Sequence, residues 1–225
     1  MDLSKDTAYF YTDGSCWPNP GPGGWGVVCL YQGKAELSFG GSPEETNNSM
    51  ELEAVTMALN KAIEMQPPKV IIHSDSQYCI NVATKWWKGW QKKGWVTSSG
   101  KQVSNLEKIQ ALVASLEQLK KTCNVSFEWI KGHSGNPRNE AADKLARLGR
   151  AEVEGESSDK LPTLEEIEAL SIGSENLTAE PVVKALSMKD VMAFMAYNAG
   201  NTIEEAYRKV NLFLKEKETF NEEAD

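Results

Sequence analysis

The 225-residue chain has no run of about 18 apolar residues, so nothing in it reads as a membrane-spanning helix. Its first residues, MDLSKDTAYF, lack the charged-then-apolar pattern of a secretory signal, and a cytoplasmic protein is expected. Cysteine is scarce: Cys16, Cys29, Cys79 and Cys123 form no CxxC pair and no dense framework, which argues against a structural zinc and a disulfide scaffold. No long internal repeat is visible. A hydrophobic content of 40% and a charged content of 25% suit one domain with an extension.

Charge is unevenly spread. Residues 1–150 carry 17 Lys+Arg against 15 Asp+Glu, net +2, while residues 151–225 carry 7 bases and 17 acids, net −10. The two parts are therefore expected to meet different partners.

The first part reads as alternating strands and helices. Tyr9–Thr12, Trp25–Tyr31 and a run near Ala35–Phe39 are β-prone and form an expected antiparallel meander, with the glycine-rich stretch Gly14–Gly24 read as turn. From Met50 to Ile63 the apolar positions Val55, Ala58, Leu59, Ala62 and Ile63 recur at helical spacing until Pro67-Pro68. Val70-Ile71-Ile72 suggests a buried strand. A second apolar stripe, Leu106, Ile109, Leu112, Val113 and Leu116, predicts a helix over 103–119, and a strand follows at 125–130. Asn136-Pro137 opens a last helix, since proline at the first helical position gives up no hydrogen bond. The expected order is βββαβααβα.

Beyond Arg150 the sequence AEVEGESSDK is acidic and poor in large apolar residues, so residues 151–160 are read as a linker. Residues 161–225 regain a helical pattern, with helices expected at 188–197 and 202–214 around Asn198–Asn201.

Three acids are unusually placed. Asp13 closes the apolar run AYFYTD, Asp75 closes VIIHSD, and Glu51 shares the helical stripe of Val55, Ala58 and Ala62. An ionised carboxylate at a core edge is costly unless something positive neutralises it. Taken one at a time, each of the three has a plainer reading: Asp13 as a turn residue, Glu51 as a surface acid and Asp75 as a helix cap before Ser76-Gln77; Asp143 likewise reads alone as a surface acid beside Lys144.

The segments YTDGSCWPNPGPGGWGVV, TNNSMELEAVTMAL, IHSDSQY, WWKGWQKKGWVTSSGKQVSN and EWIKGHSGNPRNEAADKLA occur in that order. Together they resemble ribonuclease HI of the bacterial type over residues 6–150. The resemblance implies an α/β ribonuclease H-like fold, a five-stranded mixed sheet flanked by helices, to which the helical pattern of residues 161–225 adds a small C-terminal region. It also implies that Asp13, Glu51, Asp75 and Asp143 converge as catalytic carboxylates and metal ligands, with His133 as an auxiliary histidine on a flexible loop. Four converging acids need hard cations, two Mg²⁺ in the working state with Mn²⁺ as a substitute. His73, on a strand, is read as a packed structural histidine.

Residues 85–101 contain five lysines, four tryptophans and no acid. They read as a basic amphipathic helix with some rings packed inward, whose lysines face phosphates. By the resemblance, Trp86, Lys88, Trp90, Lys92, Lys93 and Trp95 grip the DNA strand of a hybrid. Telling RNA from DNA calls for contact with the 2′-hydroxyl. The resemblance gives that task to Asn19, Asn47, Asn48 and Gln77, with the backbone of Gly14, Ser15 and Cys16 nearby, and lets Thr46 help to hold a DNA phosphate. The Asn pair could equally cap the helix ahead of Met50.

The reading is thus a monomeric endonuclease cutting the RNA strand of RNA/DNA hybrids and leaving 5′-phosphate and 3′-hydroxyl ends. A non-cleaving hybrid-binding module would lack a carboxylate, and none is missing. A structure-specific DNA nuclease on the same fold is disfavoured by the amides and the basic segment. Residues 161–225 are expected to dock a protein partner, since nucleic acid would be repelled by so acidic a segment.

Overall fold

The computed structural model describes residues 6–155 and Glu166. Three antiparallel strands, β1 (Thr7–Cys16), β2 (Gly21–Tyr31) and β3 (Lys34–Glu45), lead into helix α1 (Asn47–Met65). Strand β4 (Lys69–Ser74) is followed by α2 (Gln77–Asn81), a π-helical turn (Val82–Trp86), α3 (Trp87–Lys92) and α4 (Leu106–Leu119). Strand β5 (Asn124–Trp129) and α5 (Pro137–Glu154) complete the unit. The sheet order is β3-β2-β1-β4-β5, antiparallel from β3 to β1 and parallel from β1 to β5. This is the five-stranded mixed sheet expected.

Alternation along the strands sorts the two faces. Phe10, Val27, Cys29, Val70 and Ile72 pack on one side with the stripe of α1 (Val55, Ala58, Leu59, Ala62) and the stripe of α4 (Ile109, Leu112, Val113, Leu116). Tyr11, Val28, Leu30, Leu37 and Phe39 pack on the other side under Ala141, Ala142 and Leu145 of α5. Asp13 and Asp75 follow the parity of Tyr11 and of His73, so both carboxylates emerge toward the α5 face.

The stretch Gly14–Gly24 is mostly strand, not turn. Strand β1 runs on to Cys16 and β2 begins at Gly21, leaving only Trp17–Pro20 as the connection. Here glycine serves close approach. A Cβ at Gly24 would collide with the Ala146 carbonyl and the Arg150 amide, and one at Gly26 with the Ala142 carbonyl. Helix α5 thus lies directly on the backbone of β2, and Gly149 of α5 answers with its own contact on Gly40.

Three other expectations shift. Helix α1 starts at Asn47, because Thr46 is its cap: the Thr46 hydroxyl accepts from the Ser49 amide and the Ser49 hydroxyl accepts from the Thr46 amide. Asn47 and Asn48 are therefore first-turn residues and do not cap. The basic segment is helical only to Lys92; beyond it Gly94 and Trp95 take positive φ, and a bridge between Val96 and Gln102 closes a loop. Helix α5 runs four residues into the segment read as linker, with Ala151 buried and Gly155 ending it in the left-handed conformation. The helices expected at 188–197 and 202–214 lie outside the described residues. All four cysteines are buried free thiols.

Candidate active site

Strand register brings the first two acids together. In the parallel pair of β1 and β4, Thr12 stands opposite Ser74, so Asp13 and Asp75 leave neighbouring strands side by side. Glu51 arrives from the start of the second turn of α1, which rests on the end of β1. That contact requires Gly14, whose Cβ would lie 2.6 Å from the Met50 carbonyl carbon. Carboxylate oxygens of Asp13, Glu51 and Asp75 all lie within 4.8 Å of one another.

Electrostatics fit a crowded, half-dry site. Burial raises the pKa of Asp13 well above the usual carboxylate range, and the charges of Asp75 and Asp143 push it further. The Gly14 amide donating to Asp13 Oδ1 at 2.8 Å opposes this only in part. Glu51 is raised by burial and then by Asp13 and Asp75, and its Oε2 is buried with no hydrogen-bond partner among the described residues. Donors that are all oxygen and this close together suit a hard divalent cation.

Asp143, on α5, stands outside the mutual 4.8 Å trio but acts electrostatically on Asp13. Arg147 holds it from one turn on, with Nη2–Oδ2 at 3.0 Å and Nε–Oδ1 at 3.2 Å.

Asp75 is contacted from two sides that sequence reasoning missed. The Trp129 indole Nε1 donates to the Asp75 carbonyl at 3.0 Å, and Asn139 Nδ2 donates to Asp75 Oδ2 at 3.4 Å. Both residues lie inside EWIKGHSGNPRNEAADKLA, but nothing in their spacing distinguishes them from core or surface positions. Ser76, not Asp75, caps α2, accepting from the Cys79 amide at 3.3 Å. His133 is exposed at φ +49° on the loop whose Gly132 touches the Asp75 carboxylate.

Other expected contacts line the same end of the sheet. Asn19, Asn47, Asn48 and Gln77 are exposed, and the Asn47 amide donates to Asn19 Oδ1 at 3.4 Å, tying the Trp17–Pro20 connection to α1. Gly14 and Ser15 are half-buried in β1, while the Cys16 thiol is buried against the carbonyls of Pro18, Gly21 and Glu45. The Thr46 hydroxyl is occupied by its cap. Along the arm, Lys88, Lys92 and Lys93 are exposed, Lys88 sitting 5.7 Å above the Trp87 ring. Trp87 is the inward anchor. Trp90 and Trp95 pack partly against the core, and Trp86 is exposed beside Tyr78 and Trp90. His73 is packed between strands, its ring stacked on Tyr11 at 4.5 Å, and burial lowers its pKa.

Comparison with known proteins gives the family. The RNase H family profile matches residues 5–151. A protein of Methylococcus capsulatus named Ribonuclease H is 46% identical over 153 residues, covering 68% of this chain and 95% of that protein. Among solved structures, LC9-RNase H1, a type 1 RNase H with the type 2 active-site motif, is similar at TM-score 0.53 and 28% identity, over 70% of this chain and 76% of that one. A foamy viral protease-reverse transcriptase in complex with RNA/DNA hybrid is similar at TM-score 0.54 and 26% identity, over 67% of this chain and 21% of that one.

Proposed function

The chain belongs to the ribonuclease H family, and from that premise we propose that Asp13, Glu51, Asp75 and Asp143 are the carboxylates with which it hydrolyses the RNA strand of RNA/DNA hybrids. The observation that carries this is the convergence of three acids from β1, α1 and β4 within 4.8 Å. No single element could supply them, and their mutual repulsion serves no structural end.

The ions that fit this oxygen cluster are Mg²⁺ or Mn²⁺. When bound, two such ions lower the barrier to attack by water on the scissile phosphate and stabilise the departing 3′ oxygen, which leaves 5′-phosphate and 3′-hydroxyl ends. The carboxylates hold that charge in place, and burial keeps competing water out of the inner side of the site. Asp143 completes the set from α5 once Arg147 yields. His133, exposed on its loop, moves a proton at the site's mouth or helps the product to leave.

The amides of Asn19, Asn47, Asn48 and Gln77 read the 2′-hydroxyls of the RNA strand, and the backbone of Gly14, Ser15 and Cys16 lies along it. Lys88, Lys92 and Lys93 with Trp86, Trp90 and Trp95 hold the DNA strand through phosphate charge and ring contact. We assign catalysis to the unit ending near residue 155, active as a monomer in the cytoplasm. The acidic segment from residue 161 is a separate protein-docking module. Cleavage of labelled hybrid and of duplex DNA, with Mg²⁺ and with EDTA, tests the assignment. Hybrid-specific cutting abolished by EDTA and restored by Mg²⁺ is expected; equal cutting of duplex DNA would place it with the DNA nucleases.

A further inference from the structure

Asp75 differs from the other carboxylates in how it is held. It lies one residue past the end of β4, where a strand no longer fixes its backbone. The adjacent strand β5 supplies what is missing: the Ile130 amide donates to the Ser74 carbonyl at 3.1 Å, and the Trp129 indole donates to the next carbonyl, that of Asp75. Trp129 makes this bond with half of its surface in solvent, 53% exposed, so burial does not explain its position. From above, Asn139 comes down from the first turn of α5. Its side chain is almost wholly buried, 3% exposed, with Nδ2 on Asp75 Oδ2 and Oδ1 buried without a donor among the described residues. A buried amide that is only half satisfied is destabilising where a leucine of similar volume would not be. Gly132 closes the third side, since a Cβ there would stand 2.5 Å from Asp75 Oδ2.

We propose that Asn139 and Trp129 are positioning residues that clamp Asp75, one by its carboxylate and the other by its main-chain carbonyl, so that its oxygens face the Asp13–Glu51 pair when a divalent ion arrives. The proposal rests on the reading of Asp75 as a metal ligand. The clamp also ties the loop carrying His133 to that ligand, because Trp129, Gly132 and Asn139 flank His133 in sequence and all meet Asp75.

The test is Mn²⁺ binding to the full chain, followed by electron paramagnetic resonance without substrate, together with kcat and KM for hybrid cleavage. Asn139→Leu keeps the volume and removes the donor. Its melting temperature should equal or exceed the parent's, while Mn²⁺ affinity and kcat each fall by about tenfold, the usual scale for a group that orients a metal ligand, with KM unchanged. Trp129→Phe keeps a surface ring and removes only the indole N–H; it should shift Mn²⁺ affinity and kcat in the same direction by less. Should Asn139→Leu fail to fold, Trp129→Phe alone decides. Parent-like Mn²⁺ affinity and kcat in the folded variants overturn the clamp. Asp75→Asn separates the two levels: if it binds Mn²⁺ and cleaves like the parent, the metal-ligand reading itself falls. If it is inactive while the clamp variants behave as parent, only the clamp is wrong.

Discussion

The carboxylate cluster and the basic arm do opposite things with charge. Asp13, Glu51 and Asp75 come from three elements far apart in the chain and meet where Asp13 is buried and the other two half-buried, Asp75 raising the cost of ionising Asp13 and both of these raising that of Glu51. The arm takes its lysines from one short stretch and leaves them in solvent, Lys88 sitting over the ring of Trp87. One region is accurate because it is enclosed and shares its charges over a few ångströms. In the proposed role of the other, each lysine would meet a phosphate alone, screened by salt, which would make that region forgiving. Substitutions should therefore act steeply in the first region and gradually in the second.

The largest effect is expected at the proposed metal ligands. Asp13→Asn or Asp75→Asn should cut kcat by roughly a thousandfold or more, as for a member of a group acting as a unit, with hybrid affinity retained in a filter-binding assay. A loss of binding equal to the loss of turnover would erase the distinction between the two regions.

Next comes the pH dependence of stability. Asp13 and Glu51 have raised pKa values, so they bind their protons more tightly folded than unfolded. The stability linked to them is complete below the ordinary carboxylate range and is lost as pH rises through the raised values. For metal-free protein this contribution should accordingly favour a higher melting temperature at pH 5 than at pH 8. Mg²⁺ at ten times its dissociation constant should add about 1.4 kcal/mol, roughly 3–6 °C for a chain of this size, at pH 8 and little at pH 5. Calorimetry showing the same Mg²⁺ increment at both values would detach the ion from these acids.

The arm should respond more gently. Changing Lys88, Lys92 and Lys93 together to Ala should raise KM and flatten the log–log salt dependence by up to about one unit for each phosphate no longer neutralised, with kcat kept. Smallest of all is Arg147→Gln. An exposed ion pair is worth about 0–1 kcal/mol, so the melting temperature should barely move. Asp13 should then titrate still higher, since the nearby positive charge that lowers its pKa is gone; carboxyl NMR reads this directly.

Much of this was legible in the sequence, for identifiable reasons. The stripes of α1 and α4 were visible because each buries one continuous face, and the four acids were singled out through ordered segments that resemble a family, not through periodicity; three of them do converge. The Gly14–Gly24 stretch misled because glycine marks both a turn and a backbone approached by another backbone, and only the position of α5 tells them apart. Thr46 and Ser49 cap α1 through a reciprocal pair with Ser in place of the usual acid, which hid the true start three residues before Met50. Asn139 was invisible because its partner is 64 residues away. Composition turns acidic at 151, before helix α5 ends at Glu154; Arg150 and Glu154 pair at 3.2 Å across its last turn. A chain cut after Gly155 should keep the stability that one cut after Arg150 loses.

The seam where α5 lies on β2 has a bearing on protein engineering. Asp143 rides on that helix, between Ala142 above Gly26 and Ala146 above Gly24. The height of the helix over the sheet is therefore the height of the fourth acid over the first. Adding one methyl group at Gly24 or Gly26 would work as a shim, lifting Asp143 from Asp13 without altering any charge. A graded series at these two positions offers a ruler for asking how much displacement the reaction tolerates, with the chemical identity of every acid left as it is.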